Sequence, residues 1–270
     1  MTRRAVGLLL VASVLSACAP HMPPPSEGFT APSAAVRAEL ARMEAEPVGL
    51  TRPLVVIAGW RGTGAFADSI EASLIRLTGA DNAEVISVAT PLTNSLAGGA
   101  RKVVGAVEGR WPCDDPEWTV EVDVVGYSMG GILARLAAEA PEEDESCRKR
   151  LRIRTLYTLA TPHAGTHAWG DFFAPDTSAR QMQKESAALA ALNAALPEAG
   201  YALVCYATLN DRIVGARHAA PPGMHPIWTP AHWRLSHFSI PRNKRVLADI
   251  ALRLRDETPL QAEGSPPPTQ

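Results

Sequence analysis

One short segment constrains the fold of this chain more than any other. Val124 to Gly131 reads VVGYSMGG, a Gly-x-Ser-x-Gly pattern between a β-branched apolar run and the helix-like stretch ILARL. A strand that turns directly into a helix bends so sharply that glycines are needed at Gly126 and Gly130. Such a turn holds the serine between them above the end of the sheet. The segment therefore predicts a strand, a strained turn with Ser128 at its apex, and a helix.

Apolar runs and helix-like stretches alternate along the rest of the chain. The strand-like runs are 54–58, 83–89, 120–125, 153–160 and 202–209, and the helical candidates are 66–79, 95–109, 128–140, 179–196 and 243–255. This alternation is typical of an α/β fold, a doubly wound and mostly parallel sheet flanked by helices. We place that domain at residues 51–256 and expect the Pro/Gly-rich tail, 257–270, to be disordered.

The N-terminus has the pattern of an export signal. Arg3 and Arg4 precede an apolar run that is too short to span a bilayer, and the run ends in Leu-Ser-Ala-Cys18. Those four residues resemble the bacterial lipobox, which implies cleavage after residue 17 and lipidation of Cys18. A plain signal peptide with an incidental cysteine is the alternative.

If Cys18 carries the lipid, residues 18–50 are a membrane tether. The first part is rich in proline, and 34–46 has the spacing of a short amphipathic helix. We expect an exported protein anchored in the bacterial cell envelope, on the periplasmic or surface side, and Ala19 is compatible with sorting to the outer membrane.

Charge and cysteine content exclude other classes. Lys and Arg number 26 against 28 Asp and Glu, so the chain lacks the positive charge of a nucleic-acid-binding protein. Four cysteines are too few for a disulfide scaffold. Cys113 and Cys147 are expected at the same end of the sheet, and export favours a disulfide between them, with two free thiols as the alternative. Cys205 lies in a strand and is expected to be a buried free thiol.

Two motifs carry a resemblance to a known family. GYSMGG after the strand VDVV resembles the serine turn of the α/β-hydrolase superfamily, and LATPHAGT at 159–166 resembles the T-P-H-x-G-[ST] stretch of bacterial lipases. The resemblance spans about 51–256. It implies a Ser-Asp-His esterase or lipase that acts on an ester or lipid without a metal or organic cofactor. Tyr127 stands where these enzymes often have histidine.

The acid and the base follow from the family's chain order of serine, acid and histidine. Asp211 comes directly after the strand-like run 202–209, and its motif DRIV resembles the family's D-x-[IV]-V. A turn-capping role is the alternative for Asp211. For the base, His237 precedes the last helical candidate, with His232 as the alternative. His218 and His225 are expected on the surface or at the rim of the site.

An oxyanion hole needs two backbone N–H donors. One is expected from Met129, which follows the serine, and the other from Trp60 in the glycine-rich loop after the first strand. The Trp60 side chain could equally line the acyl pocket. A phosphate-binding loop is disfavoured because its glycine spacing is absent.

The insertion 163–200 carries an apolar set with two interpretations. As a lid it would cover the substrate; as a core-facing helix it would only pack on the sheet. The set comprises Trp169, Phe172, Phe173, Met182, Leu189, Leu192 and Leu196.

These features predict a serine hydrolase of carboxylic esters. Acyl transfer or thioester hydrolysis by the same residues is one alternative, and a non-catalytic binding lipoprotein is another.

Overall fold

The computed structural model describes residues 28–60, 64–91, 93, 95–139, 149–166, 177–230 and 236–268. The export segment and Cys18 precede the first of these ranges, so the lipoprotein prediction lies outside the described residues. Within the ranges, no helix has both the length and the apolar character needed to cross a membrane.

A six-stranded, fully parallel sheet forms the centre of the described chain. Its spatial order is β2-β1-β3-β4-β5-β6, which confirms the predicted doubly wound sheet. The first five strands lie within two residues of their predicted ends, whereas β6 was missed because it has three residues in a proline-rich stretch. The strands are β1 (Leu54–Ile57), β2 (Val85–Val88), β3 (Val122–Tyr127), β4 (Ile153–Leu159), β5 (Ala202–Thr208) and β6 (Ile227–Thr229).

Helices cover both faces of this sheet. Their bounds are α1 (Ser33–Ala45), α2 (Ala65–Thr78), α3 (Leu96–Arg110), α4 (Met129–Ala138), α5 (Thr177–Gln181), α6 (Ala187–Ala195), α7 (Ser236–Ser239) and α8 (Lys244–Leu254). The alternation of β1 shows how the core divides: Leu54 and Val56 pack with α1, α2 and α8, whereas Val55 and Ile57 pack with α3, α4 and α6.

The strand order creates a crevice at the carboxyl ends of β1 and β3. The chain leaves β1 toward α2 on one face, and it leaves β3 toward α4 on the other face. Connections that diverge from neighbouring parallel strands leave room between them, which is where open α/β sheets bind ligands. Trp60 follows β1 and Ser128 follows β3, so two of the predicted site residues lie at this crevice.

The insertion packs differently from the lid interpretation where it is described. The helix expected at 179–196 is divided into α5 and α6, and Ser186 caps the second helix by accepting a hydrogen bond from the Leu189 N–H. Met182, Leu189 and Leu192 are buried in the core on the α3 and α4 face. This favours the core-facing alternative for 177–200. Trp169, Phe172 and Phe173 lie outside the described residues.

The structure gives the predicted disulfide no support. Cys113 carries a free, half-buried thiol, and Cys147 lies outside the described residues. Cys205 is free and buried, as expected, and burial raises the pKa of its thiol to about 12.

The expected disorder of the C-terminal tail is wrong for residues 257–268. The Gln261 N–H donates to Oδ1 of the fully buried Asp249 at 2.8 Å, and the Ser265 hydroxyl accepts from the Trp228 indole at 3.0 Å. The Ser265 N–H also donates to the Pro226 carbonyl at 3.2 Å. The tail supplies hydrogen-bond partners, both donors and an acceptor, that buried polar groups need, a requirement that its own composition does not reveal. We call residues 257–268 the C-terminal strap.

Removing the strap should destabilise the domain. A chain that ends at Pro259 leaves Asp249 Oδ1 without the Gln261 N–H, and we expect a loss of about 1–3 kcal/mol in the free energy of unfolding. Urea titration against a chain that ends at Pro268 measures the difference. Equal midpoints for the two chains would show that the strap contributes nothing.

Candidate active site

The turn between β3 and α4 has the strained geometry that its glycines predicted. Ser128 has φ 54° and ψ −120°, and α4 begins at the next residue. A Cβ atom on Gly130 would lie 2.3 Å from the Ile57 carbonyl oxygen, and one on Gly126 would lie 2.5 Å from the Gly131 backbone. Side chains are therefore excluded at positions 126 and 130, two residues before and two residues after the serine. The tight turn holds Ser128 at the carboxyl end of the sheet.

The structure brings together the serine, histidine and aspartate that the sequence singled out. Ser128 Oγ lies 3.0 Å from His237 Nε2, and His237 Nδ1 lies 2.8 Å from Asp211 Oδ2. His237 and Asp211 are buried, with 5% and 4% of their surfaces exposed, while Ser128 is half-buried. His232, the alternative base, lies outside the described residues. A hydroxyl, an imidazole and a carboxylate in this order can move a proton off the serine.

Asp211 makes the contacts of both alternatives that its sequence position left open. Its Oδ1 atom caps the turn after β5 by accepting from the N–H groups of Ile213 and Val214 at 2.9 and 3.0 Å. Its Oδ2 atom remains for His237. The turn cap therefore fixes the direction of the carboxylate toward the imidazole.

The charge on Asp211 is set by two opposing effects. Burial alone would raise the pKa of this carboxyl, because water is excluded from the charged form. The hydrogen bond and charge of His237, together with the two backbone N–H groups, outweigh burial and lower the pKa of Asp211. The group is thus an anion that holds the Nδ1 proton of His237.

Tyr127 is a part of the site whose role sequence reasoning missed. Its hydroxyl donates to the backbone carbonyl of His237 at 3.2 Å, and its ring lies 5.5 Å from the imidazole between centroids. Burial, and then the negative charge of Asp211, raise the pKa of Tyr127, which keeps the donating proton in place. The one available signal was its departure from the histidine that is usual at this position.

The loop after β1 closely approaches the serine. A Cβ atom on Gly59 would lie 3.2 Å from Ser128 Cβ, which is tighter than an ordinary van der Waals contact. Trp60 is half-buried and packs against the core on the α3 and α4 face. Met129 occupies the first position of α4, where helix geometry leaves the N–H without an intrahelical partner. Residues 61–63 lie outside the described residues.

The histidine of the TPHAG motif belongs to a separate buried network. His163 Nδ1 lies 2.9 Å from Arg135 Nη1, and His163 Nε2 lies 3.0 Å from Thr158 Oγ1. Because arginine can only donate, Nδ1 accepts and Nε2 carries the proton. Asn193 joins both residues, since its side chain accepts from Arg135 and donates to the His163 carbonyl, each at 2.9 Å. The network connects α4 and α6 to the turn after β4.

The network makes stability depend on pH. Burial, and then the charge of Arg135, lower the pKa of His163 well below its ordinary value. Below about pH 6.5 the unfolded chain therefore binds a proton at His163 that the folded chain does not, and stability falls as the pH falls. We expect the His163→Gln variant to lose less stability than the wild type between about pH 7.5 and pH 5.5.

Urea titrations of both proteins at the two pH values measure this difference, whose upper limit is about 1.4 kcal/mol per pH unit. Equal losses in the two proteins would contradict the buried neutral state of His163.

Two further histidines belong to the described residues, His218 and His225. The half-buried His218 contacts the Gly165 carbonyl through Nδ1 at 3.0 Å, and His225 is exposed, as its surface placement predicted. Within the part of the chain that the structure describes, no three His, Cys, Asp or Glu side chains are grouped to hold a metal ion.

Comparisons with solved structures identify the fold. Lipase BlEst2 of Bacillus licheniformis in its propeptide form matches with a TM-score of 0.55 and 14% identity over 83% of this chain. The chain spans 53% of the length of that structure. The mature form matches with a TM-score of 0.52 and 14% identity, covering 77% of this chain and 94% of that one. The chain has the α/β-hydrolase fold.

Sequence comparisons add a partial match. Residues 114–193 match the family model of the PGAP1-like alpha/beta domain, a range that includes Ser128 but neither Asp211 nor His237. No curated protein matches the chain. Its fold is thus that of lipases and esterases, and the roles of its site residues depend on the geometry described above.

Proposed function

We propose that the protein is a serine hydrolase that cleaves carboxylic esters. The observation that carries the proposal is the continuous chain of hydrogen bonds from Ser128 through His237 to Asp211 at the carboxyl end of the sheet. A serine hydroxyl is a weak nucleophile at neutral pH and needs a base, which in turn needs an orienting acid. The strained backbone at Ser128 supports the same role, because strain of this kind is concentrated at functional sites.

In the first half of the reaction, Ser128 Oγ attacks the ester carbonyl carbon while its proton passes to His237 Nε2. Asp211 holds the imidazole in the tautomer that accepts this proton and stabilises the imidazolium that forms. The tetrahedral intermediate then collapses: the bond to the alkoxy oxygen breaks, His237 returns the proton to the leaving alcohol, and an acyl-serine remains.

In the second half, a water molecule replaces the alcohol. His237 takes a proton from the water as it attacks the acyl-serine, and then gives that proton to Ser128 Oγ when the carboxylic acid leaves. In both halves the negative carbonyl oxygen would be held by the N–H groups of Met129 and Trp60. The position of Met129 at the start of α4 and the close approach of Gly59 to Ser128 support this assignment.

Replacing the proposed nucleophile and base tests this function. Ser128→Ala and His237→Ala should each lower kcat for p-nitrophenyl butyrate by about 10³-fold or more, and the double variant should be little worse than either. Residues that act as one unit lose their whole effect with the first replacement. A fluorophosphonate probe should label the wild type but not Ser128→Ala.

Matched variants control for general damage. Ser73→Ala removes a hydroxyl that bonds to its own helix, and His225→Ala removes an exposed histidine, so both should keep wild-type activity. His232→Ala should stay within about tenfold of the wild type. Full activity in a purified Ser128→Ala sample would refute the proposal, and an inactive His232→Ala beside an active His237→Ala would move the base to His232.

We further propose that the protein is exported and held at the membrane by lipid on Cys18. The lipobox-like residues at the end of the apolar run support this. Cys18→Ser should move the protein from the membrane fraction to the soluble fraction, because the acyl chains supply most of the membrane affinity. Wild-type membrane association of the variant would exclude Cys18 as the anchor.

A further inference from the structure

A groove with a strongly positive lining lies beside the candidate site. It runs between α1, the short helix α7 and the beginning of α8, and its volume is about 610 Å³, which suits a small-molecule group. Val36 and Phe238 contribute apolar surface. Four cations also line the groove: Arg37, Arg242, Lys244 and Arg245.

The charges of this groove are not neutralised. No Asp or Glu is among its lining residues, and among the described residues none of the four cations forms an ion pair. Arginines nearby behave differently, since Arg42 and Arg255 both pair with Glu257. Four unpaired cations around one concave surface create a positive potential that attracts anions.

Arg245 is held in place and has one donor that lacks an acceptor among the described residues. The Nη2 group of Arg245 donates to the Ser33 hydroxyl at 2.9 Å, which ties the guanidinium to α1. Its Nε atom is buried and has no hydrogen-bond partner among the described residues. A buried N–H without an acceptor is costly, and the guanidinium that carries it is one of the groups that line the groove.

An aromatic cluster lies between the groove and the site. Phe238 follows His237 directly, is 44% exposed and stacks on Phe66 at 6.3 Å between centroids. The Arg242 guanidinium lies 5.6 Å above the same Phe66 ring. Phe66 in turn contacts Tyr127, with 5.5 Å between the ring centroids. Tyr127 is the residue whose hydroxyl donates to the His237 backbone carbonyl. A bound anion and a scissile ester at Ser128 would therefore lie on either side of Phe238.

We propose that this groove binds an anionic group, of the phosphate type, carried by the ester substrate itself. The inference rests on the proposed function and deepens it, because it names the substrate class as acyl esters of anionic amphiphiles. Guanidinium groups match phosphate oxygens with paired donors, and Lys244 adds a mobile positive charge. Val36 and Phe238 contact the apolar part next to the anion.

Short-chain lipids test the proposal in solution. Dihexanoyl phosphatidylglycerol and dihexanoyl phosphatidylcholine have the same acyl esters but differ in net charge, and below their critical micelle concentrations they offer no surface to bind. We expect the wild type to prefer phosphatidylglycerol in kcat/KM by about tenfold. The preference should disappear in the triple variant R37Q/R242Q/K244Q and should weaken as NaCl is added.

Two further measurements make the result specific. The triple variant K102Q/R110Q/R154Q removes the same charge from other surfaces and should keep the preference. Binding of the two lipids to Ser128→Ala protein, measured by calorimetry with and without the groove substitutions, tests the groove independently of turnover. Tighter binding of phosphatidylglycerol that the groove substitutions abolish supports the proposal.

The outcomes separate the two proposals. Hydrolysis of both lipids at equal kcat/KM, or a preference that survives R37Q/R242Q/K244Q, would overturn the groove assignment while leaving the ester hydrolase intact. Failure to hydrolyse any ester, with charge-selective binding by Ser128→Ala, would overturn the hydrolase and leave the groove. If inorganic phosphate binds as tightly as phosphatidylglycerol, the ligand is a free anion, and the substrate assignment is wrong.

Discussion

The close packing of the beginning of α4 against the end of β1 is the contact on which the site depends. Gly130 lies so near the Ile57 carbonyl that any side chain would separate the two elements. This contact fixes the turn in which Ser128 has a positive φ, and it also brings the Gly59 backbone beside the serine. The nucleophile candidate and the proposed oxyanion loop are thus positioned by one backbone approach.

Sequence patterns predicted the local parts of this arrangement well, and the chain order of the resembled family supplied Asp211 and His237, whereas other long-range contacts were not predicted. Five strands and the turn at Ser128 follow from apolar runs and glycines, which act on their immediate neighbours. The hydrogen bond from Tyr127 to the His237 carbonyl joins residues 110 positions apart, and no local pattern encodes it. The prediction of disorder for the C-terminal strap was wrong for a similar reason, because Asp249 needs a donor that lies 12 residues further along the chain.

Two buried polar groups show how differently the fold uses histidine. His237 has an anionic partner, Asp211, on one side and the Ser128 hydroxyl on the other. His163 faces the permanent charge of Arg135, which disfavours a second positive charge. The sequence offered His237 as the candidate base and His163 as part of the TPHAG motif, yet the neighbouring charges are opposite, an anion beside His237 and a cation beside His163.

The C-terminal strap has a consequence for how copies of this protein meet each other. β6 is the last strand of the sheet, and such a strand normally exposes backbone groups to which another chain can pair. Here the Pro226 carbonyl accepts from the strap at Ser265, and the Trp228 carbonyl accepts from the Phe29 N–H at 2.8 Å. Segments from both ends of the described chain therefore occupy the outer side of β6, which closes that edge against strand-to-strand aggregation.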